Sequence, residues 1–431
     1  MTTLQLFLYI LLAVFAQLTL AALLAIYRHL RSYNNLQQRM AGLETDPPAE
    51  TPLKDLLPQV TVGNVSMGKV APWRDLREFK VERRIYEDAD RNICSFYLKP
   101  TDGDPIPDFK PGQFLTFSLD VRDPATGEAK SITRCYSLSD GPGHPYYRIS
   151  IKRVPPPPGK PDLPPGVSSN HFHDNIHEGD VVQVRAPSGH FFLEAGNSPV
   201  VLIGGGIGIT PMLSMLNATL TSGSTREIWL FYGVRNSADQ GMKAHFEDLA
   251  LKYENFRLHV CYGAPQESDK LGTDYQHEGY VDLTLLRQEL KFQIYDFYIC
   301  GPRPMMENLV PALEDWGVPD QHIHYETFGP ASIARSSRKP QAEEAEASVT
   351  VTFSKSGKTL TWDNSTDTLL DFAEQNGISV EYGCRAGGCG MCQTKIESGE
   401  VANIKASDFD AEPGTCLMCV ARPKQNLTLE A

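Results

Sequence analysis

The longest apolar stretch comes first: "LQLFLYILLAVFAQLTLAALLAIY", Leu4 to Tyr27, contains no charged residue. As a helix it would be about 36 Å long against a hydrocarbon core of roughly 30 Å, which predicts a transmembrane anchor over residues 1–27. A signal peptide would carry Lys or Arg ahead of a shorter apolar run, and "MTTLQ" has neither. Arg28, Arg31 and Arg39 follow closely, and positive charge marks the cytoplasmic side. The expected location is therefore the inner membrane, single-pass, with the other domains on the cytoplasmic side and the lipid bilayer as a partner of residues 4–27. Segment 28–72, polar and then rich in Pro and acids, reads as a juxtamembrane stalk.

Over 73–197, short alternating runs such as "CSFYLKP", "QFLTFSL" and "YYRISIKRV" are broken by Gly and Pro. That pattern predicts an antiparallel β-barrel. Over 198–330 the runs become apolar throughout, as in "PVVLIGGG", "REIWLFYGV" and "DFYICGP", and alternate with helical patterns. That predicts an α/β domain with a parallel sheet. The charged segment 331–348 reads as a flexible linker. Residues 349–431 form a third domain opening on the hairpin "SVTVTFSKSGKTLTW", so the chain is expected to be multidomain.

A net charge of −13 argues against binding a phosphate backbone, which needs concentrated Lys and Arg. Nine cysteines, an odd number with one dense group, suit metal ligation in a reduced compartment better than a disulfide framework. Cys94, Cys135, Cys261 and Cys300 are isolated and read as small buried apolar residues.

The dense group is "EYGCRAGGCGMC", residues 381–392, which sets Cys384, Cys389 and Cys392 at CxxxxCxxC spacing. This is the plant-type [2Fe–2S] arrangement, completed by a distant fourth cysteine. Zinc sites usually show paired CxxC or His ligands, and residues 349–431 contain no His. Gly387, Gly388 and Gly390 permit the unusual dihedrals and close amide approach that a cluster loop needs. Arg385 is read as a cluster-side charge or a surface contact for a partner. Downstream, "GTCLMCVARP" offers Cys416 and Cys419. It resembles the closing motif of plant-type ferredoxin domains, which implies Cys419 as fourth ligand, Cys416 as neighbour, and an α+β ferredoxin-like (β-grasp) fold.

Further motifs lie upstream: "PGQF" at 111–114, "RCYS" at 134–137, "GVSSNHFHD" at 166–174, "VVLIGGGIGITPMLSML" at 200–216 and "YICGPRPMM" at 298–306. The glycine-rich turn departs from GxGxxG, so a standard Rossmann dehydrogenase does not fit. Together the motifs resemble the ferredoxin-NADP reductase superfamily. The resemblance implies that Arg134 pairs with a flavin phosphate, Tyr136 lies against the isoalloxazine and Ser137 hydrogen-bonds near N5. It further implies that Gly166, Ser168 and Ser169, at a helix start, bind a pyrophosphate, which favours FAD over FMN. Gly205, Gly206 and Gly208 would cradle the dinucleotide diphosphate, with Thr210 capping or contacting it, and Cys300 and Gly301 would lie beside the nicotinamide. "HYETFGP" at 324–330 resembles the flavin-shielding end of flavohemoglobin-type reductase modules, with Phe328 as ring cover. Ser137, Cys300 and Phe328 are thus the residues expected at the reacting centre. Acids in "YGAPQESD" disfavour a 2′-phosphate and favour NADH, although Arg235 in "YGVRN" could accept one from NADPH.

The order flavin, nicotinamide, cluster is similar to that of reductases serving Rieske-type oxygenases, such as phthalate dioxygenase reductase, and of the reductase of the hybrid-cluster protein. It implies a membrane-anchored reductase passing electrons from NADH to FAD to [2Fe–2S] to a one-electron protein acceptor such as an oxygenase, desaturase or haem protein. Two alternatives are a respiratory-type NADH:quinone oxidoreductase component and a non-enzymatic tethered ferredoxin-like carrier; the intact motifs count against the carrier. Residues 349–431 hold 7 Lys plus Arg against 11 Asp plus Glu, a net of −4, which predicts docking to a basic partner face.

Overall fold

The computed structural model describes residues 72–73, 75–122, 127–156, 159–162, 164–328, 349–362, 366–385, 387–404, 407, 409 and 411–431. The expected span Leu4 to Tyr27, the stalk up to residue 71 and the linker 331–348 lie outside the described residues.

Three sheets follow one another along the described chain. The first is antiparallel and built from β1 (Arg77–Tyr86), β2 (Ile93–Pro100), β3 (Phe114–Arg122), β4 (Ala129–Ser137), β5 (Tyr147–Lys152) and β6 (Val181–Ser188), in the order β4-β3-β6-β1-β2-β5. An isolated bridge between Leu138 and Ile149 brings the two ends of this sheet together. Alternating positions such as Phe79, Val81, Leu115 and Phe117 are buried inside it, as a pleated strand with one core face requires. Helix α1 (Val167–Asn175) packs on that core through Phe172, whose ring lies 5.2 Å from Phe96 and 5.3 Å from Phe117, both edge-on.

The second sheet is parallel: β7 (Val200–Gly205), β8 (Ile228–Val234), β9 (Phe256–Tyr262), β10 (His277–Glu278), β11 (Asp296–Gly301) and β12 (Ile323–Thr327), in the order β10-β9-β8-β7-β11-β12. The central strand β7, "VVLIGG", is buried along its whole length because both sheet faces are covered. The covering helices are α2 (Ile209–Thr221), α3 (Lys243–Lys252), α4 (Leu283–Glu289) and α5 (Arg303–Asp315). Arg226 forms a node at the edge of this domain, donating to Asp296 at 3.1 Å and to the carbonyl of Glu194, which precedes it in the chain, at 3.0 Å. The two domains join where Ser214 Oγ and Asn217 Nδ2 donate to the Asp140 carbonyl and carboxylate at 2.7 and 2.8 Å.

The third sheet, β14-β13-β19-β15-β17, comprises β13 (Thr350–Phe353), β14 (Lys358–Thr361), β15 (Gln393–Ser398), β17 (Thr415–Leu417) and β19 (Leu427–Leu429), beside the short pair β16 (Val401–Asn403) and β18 (Ala421–Pro423). The predicted hairpin is present as β13 antiparallel to β14. Helix α6 (Leu369–Gln375) is capped by Thr368, whose Oγ1 accepts from Asp371 N at 3.1 Å.

One expectation is corrected. Among the described residues no helix is long and apolar enough to cross a membrane. The longest, α2 and α5, have 13 residues each and are about 20 Å long, short of a hydrocarbon core of roughly 30 Å. This overturns the expected inner-membrane location and bilayer partner.

Candidate functional site

A cavity of about 690 Å³ opens where the three sheets meet. The barrel supplies Arg134, Cys135, Tyr136 and Ser137, the start of α1 supplies Gly166, Ser168 and Ser169, and Thr210 and Phe328 come from the second domain. The run from Val380 to Arg385, which includes Cys384, forms a further part of the wall. Motifs separated by some 250 positions in sequence therefore border one space, of the size usual for a cofactor pocket.

Tyr136 is anchored on both ends. Its ring meets Phe117 and Phe172 edge-on at 5.8 and 5.2 Å, and its hydroxyl lies 2.7 Å from Ser168 Oγ. Burial pushes its phenol up to about 12, so it stays protonated. Ser137 is buried at the end of β4, and Arg134 is exposed at the cavity with its Nη1 donating to the Thr133 carbonyl at 2.7 Å. Gly166 is the N-cap of α1, and no side chain caps it, so the first-turn amides remain available to an anion. A Cβ at Gly166 would fall 2.8 Å from Val154 Cβ and 2.9 Å from Ser169 Oγ.

In the glycine-rich turn the three glycines differ. A Cβ at Gly208 would fall 2.3 Å from the Cys300 carbonyl oxygen, and one at Gly205 would fall 2.6 Å from Pro302 Cδ. Both are glycine because this turn packs on the Cys300–Pro302 segment. Gly206, at φ +52°, faces open space. Gly208 is the N-cap of α2, and Thr210 Oγ1 in its first turn donates back to the Ile207 carbonyl at 3.0 Å. Cys300 is fully buried, and burial drives its thiol well up, so it packs rather than reacts. Gly301 is half-buried, and Phe328 is 47% exposed at the mouth of the cavity. Arg235 is occupied, its Nε donating to Asp239 Oδ2 at 2.7 Å.

The sulfurs of Cys384, Cys389, Cys392 and Cys419 come together. Cys419 meets those of Cys384 and Cys392, and Cys389 meets that of Cys384. Backbone amides also point at them: Gly388 N to Cys384 Sγ and Cys384 N to Cys389 Sγ at 3.2 Å, and Cys419 N to Cys392 Sγ at 3.5 Å. Four converging thiols with amide donors fit thiolate ligands of an iron–sulfur cluster. Cys416 is instead buried on β17, where burial pushes its thiol up to about 12. Arg385, at φ +55°, is neither a free cluster-side charge nor a surface contact. It bridges Asp371 and Glu374 at 2.6 Å and ties the cysteine loop to α6.

Sequence reasoning missed Cys135. Its sulfur faces those of Cys384 and Cys389 across the domain boundary, rather than the barrel interior. The only signal for it in the sequence is its place between Arg134 and Tyr136.

The Oxidoreductase NAD-binding domain family matches residues 202–310, and the 2Fe-2S iron-sulfur cluster binding domain family matches residues 351–424. The flavohemoprotein of Halalkalibacterium halodurans is 42% identical over 266 residues, 62% of this chain and 62% of that protein. The chain thus spans under two thirds of the length of these relatives. The flavohem-like FAD/NAD binding domain of nitric oxide dioxygenase from Vibrio cholerae O1 biovar El Tor is 32% identical, with a TM-score of 0.51, over 60% of this chain and 100% of that one. Phthalate dioxygenase reductase matches over 83% of this chain and 98% of that one, at 27% identity and a TM-score of 0.47. The chain belongs to the ferredoxin-NADP reductase superfamily: a FAD/NAD-binding reductase module is fused to a C-terminal iron–sulfur domain, with FAD, NADH and a [2Fe–2S] cluster as cofactors.

Proposed function

We propose that the chain takes a hydride from NADH and delivers electrons singly, through its iron–sulfur domain, to a protein acceptor such as an oxygenase, desaturase or haem protein. The observation that carries this reading is the shared cavity, whose wall includes both the RCYS strand and Cys384. Bound FAD supplies the exchange between a two-electron donor and one-electron carriers, and the cluster supplies the one-electron exit.

In this reading Arg134 holds a flavin phosphate, and the amides of Gly166, Ser168 and Ser169 hold the pyrophosphate. Tyr136, fixed by Ser168, would pack against the flavin ring, the Ser137 hydroxyl would donate a hydrogen bond to it, and Phe328 would cover it from the second domain. Gly206 lets the backbone approach the dinucleotide diphosphate, while Gly205, Gly208 and Thr210 shape the turn. Cys300 and Gly301 border the nicotinamide, and Cys384, Cys389, Cys392 and Cys419 hold the cluster. Arg235 is engaged by Asp239, which supports the preference for NADH. The acidic balance of residues 349–431, 7 basic against 11 acidic side chains, supports a basic docking face on the acceptor.

The test separates flavin from cluster output. In Cys419→Ser, NADH-driven reduction of ferricyanide should persist while reduction of a basic one-electron protein, cytochrome c, is lost and falls with salt in the parent. Equal cytochrome reduction by both proteins would contradict the reading.

A further inference from the structure

Side chains alternate along β4, so Cys135 leaves the strand on the face opposite Tyr136. Tyr136 turns to Phe117 and Phe172, whereas Cys135 Sγ lies 3.3 Å from Thr116 Oγ1 and then meets the sulfurs of Cys384 and Cys389. One strand thus presents its flavin-side ring and a thiol aimed at the cysteine loop from adjacent positions.

A second donor points the same way. Ser188, two strands away on β6, is 7% exposed, and its hydroxyl has no hydrogen-bond partner within the protein. It sits beneath the cysteine loop: a Cβ at Gly388 would fall 2.6 Å from Ser188 Oγ. An unpartnered buried hydroxyl is costly, and the site lacks only an acceptor. Cluster sulfurs held by Cys384 and Cys389 would supply one. The loop is held over this face by Arg185, whose guanidinium lies 5.7 Å from the Phe409 ring, and by Phe409 packing on Gly390.

We propose that the flavin barrel completes the outer shell of the cluster, with Cys135 as a positioning residue whose S–H donates to the sulfurs of Cys384 and Cys389, backed by the Ser188 hydroxyl. Donors to cluster sulfur favour the reduced, more negative state and so raise the reduction potential. The cluster is then easier to reduce with these two donors in place than without them. This rests on the electron path proposed above.

The test uses the full-length holoprotein. Parent, Cys135→Ala and Cys135→Ser are poised at fixed potentials with dithionite and mediators, and the reduced cluster is read by electron paramagnetic resonance. In Cys135→Ala the ratio of reduced to oxidised cluster should fall about three- to tenfold, the size of one hydrogen bond, with a changed spectrum. Cys135→Ser, which keeps a donor, should recover part of it. Should the alanine variant fold poorly, iodoacetamide labelling of the parent gives an independent reading: Cys135 should be protected in the holoprotein. An alanine variant equal to the parent in ratio and spectrum, or rapid labelling of Cys135, would overturn the inference. A parent cluster that dithionite reduces but NADH does not would instead overturn the electron path, leaving the comparison of variants intact.

Discussion

Arg235 Nε donates to Asp239 Oδ2 at 2.7 Å, and Asp239 also meets Lys152 Nζ at 3.2 Å. The arginine that the sequence offers to a 2′-phosphate is thereby already engaged by a carboxylate. Asp239→Asn should free it and raise kcat/KM for NADPH several-fold relative to NADH, measured by steady-state kinetics with both nucleotides. Loss of activity with both, without a change in their ratio, would mean that Arg235 does not face the ribose.

Cys416 and Cys419 separate cleanly in space, since only Cys419 meets the sulfurs of Cys384 and Cys392. Cys419→Ser should therefore lose the cluster's visible absorption and its iron. Cys416→Ser should keep both and lose only some stability, about 1–2 kcal/mol for a polar group in a buried apolar site.

Arg385 carries a two-carboxylate ion pair with its side chain 12% exposed. Its partners hold the guanidinium firmly charged despite the burial. Arg385→Ala leaves Asp371 and Glu374 facing each other and should cost about 3–5 kcal/mol. Thermal bleaching of the cluster absorption should come at a lower temperature, while the flavin signal of the same sample melts as in the parent.

These cases show what the sequence could and could not carry. The cysteine spacing, "RCYS" and the two glycine-bearing turns are legible because their geometry is set within a few residues. Strand texture likewise foretold the antiparallel and parallel sheets. Cys135, the Arg385 bridge and the Arg235–Asp239 pair depend on tertiary placement: Cys135 meets residues some 250 positions away.

His259 is half-buried, its ring stacked 4.7 Å from that of Phe231, and desolvation there lowers its pKa to about 4. An unfolded histidine titrates near 6.5, so between about 6.5 and 4 the unfolded chain binds the extra proton. Stability from the neutral ring is complete above pH 6.5 and falls as pH drops, by up to about 3 kcal/mol. Urea unfolding across that range should show this slope, and His259→Phe should flatten it.

In the proposed electron path one cavity wires flavin to cluster. An anaerobic NADH titration followed by visible absorption and electron paramagnetic resonance tests it most directly. Uptake of about three electron equivalents, two at the flavin and one at the cluster, with a reduced [2Fe–2S] signal, is the predicted result. A bleached flavin beside a cluster that stays oxidised under excess NADH would contradict it.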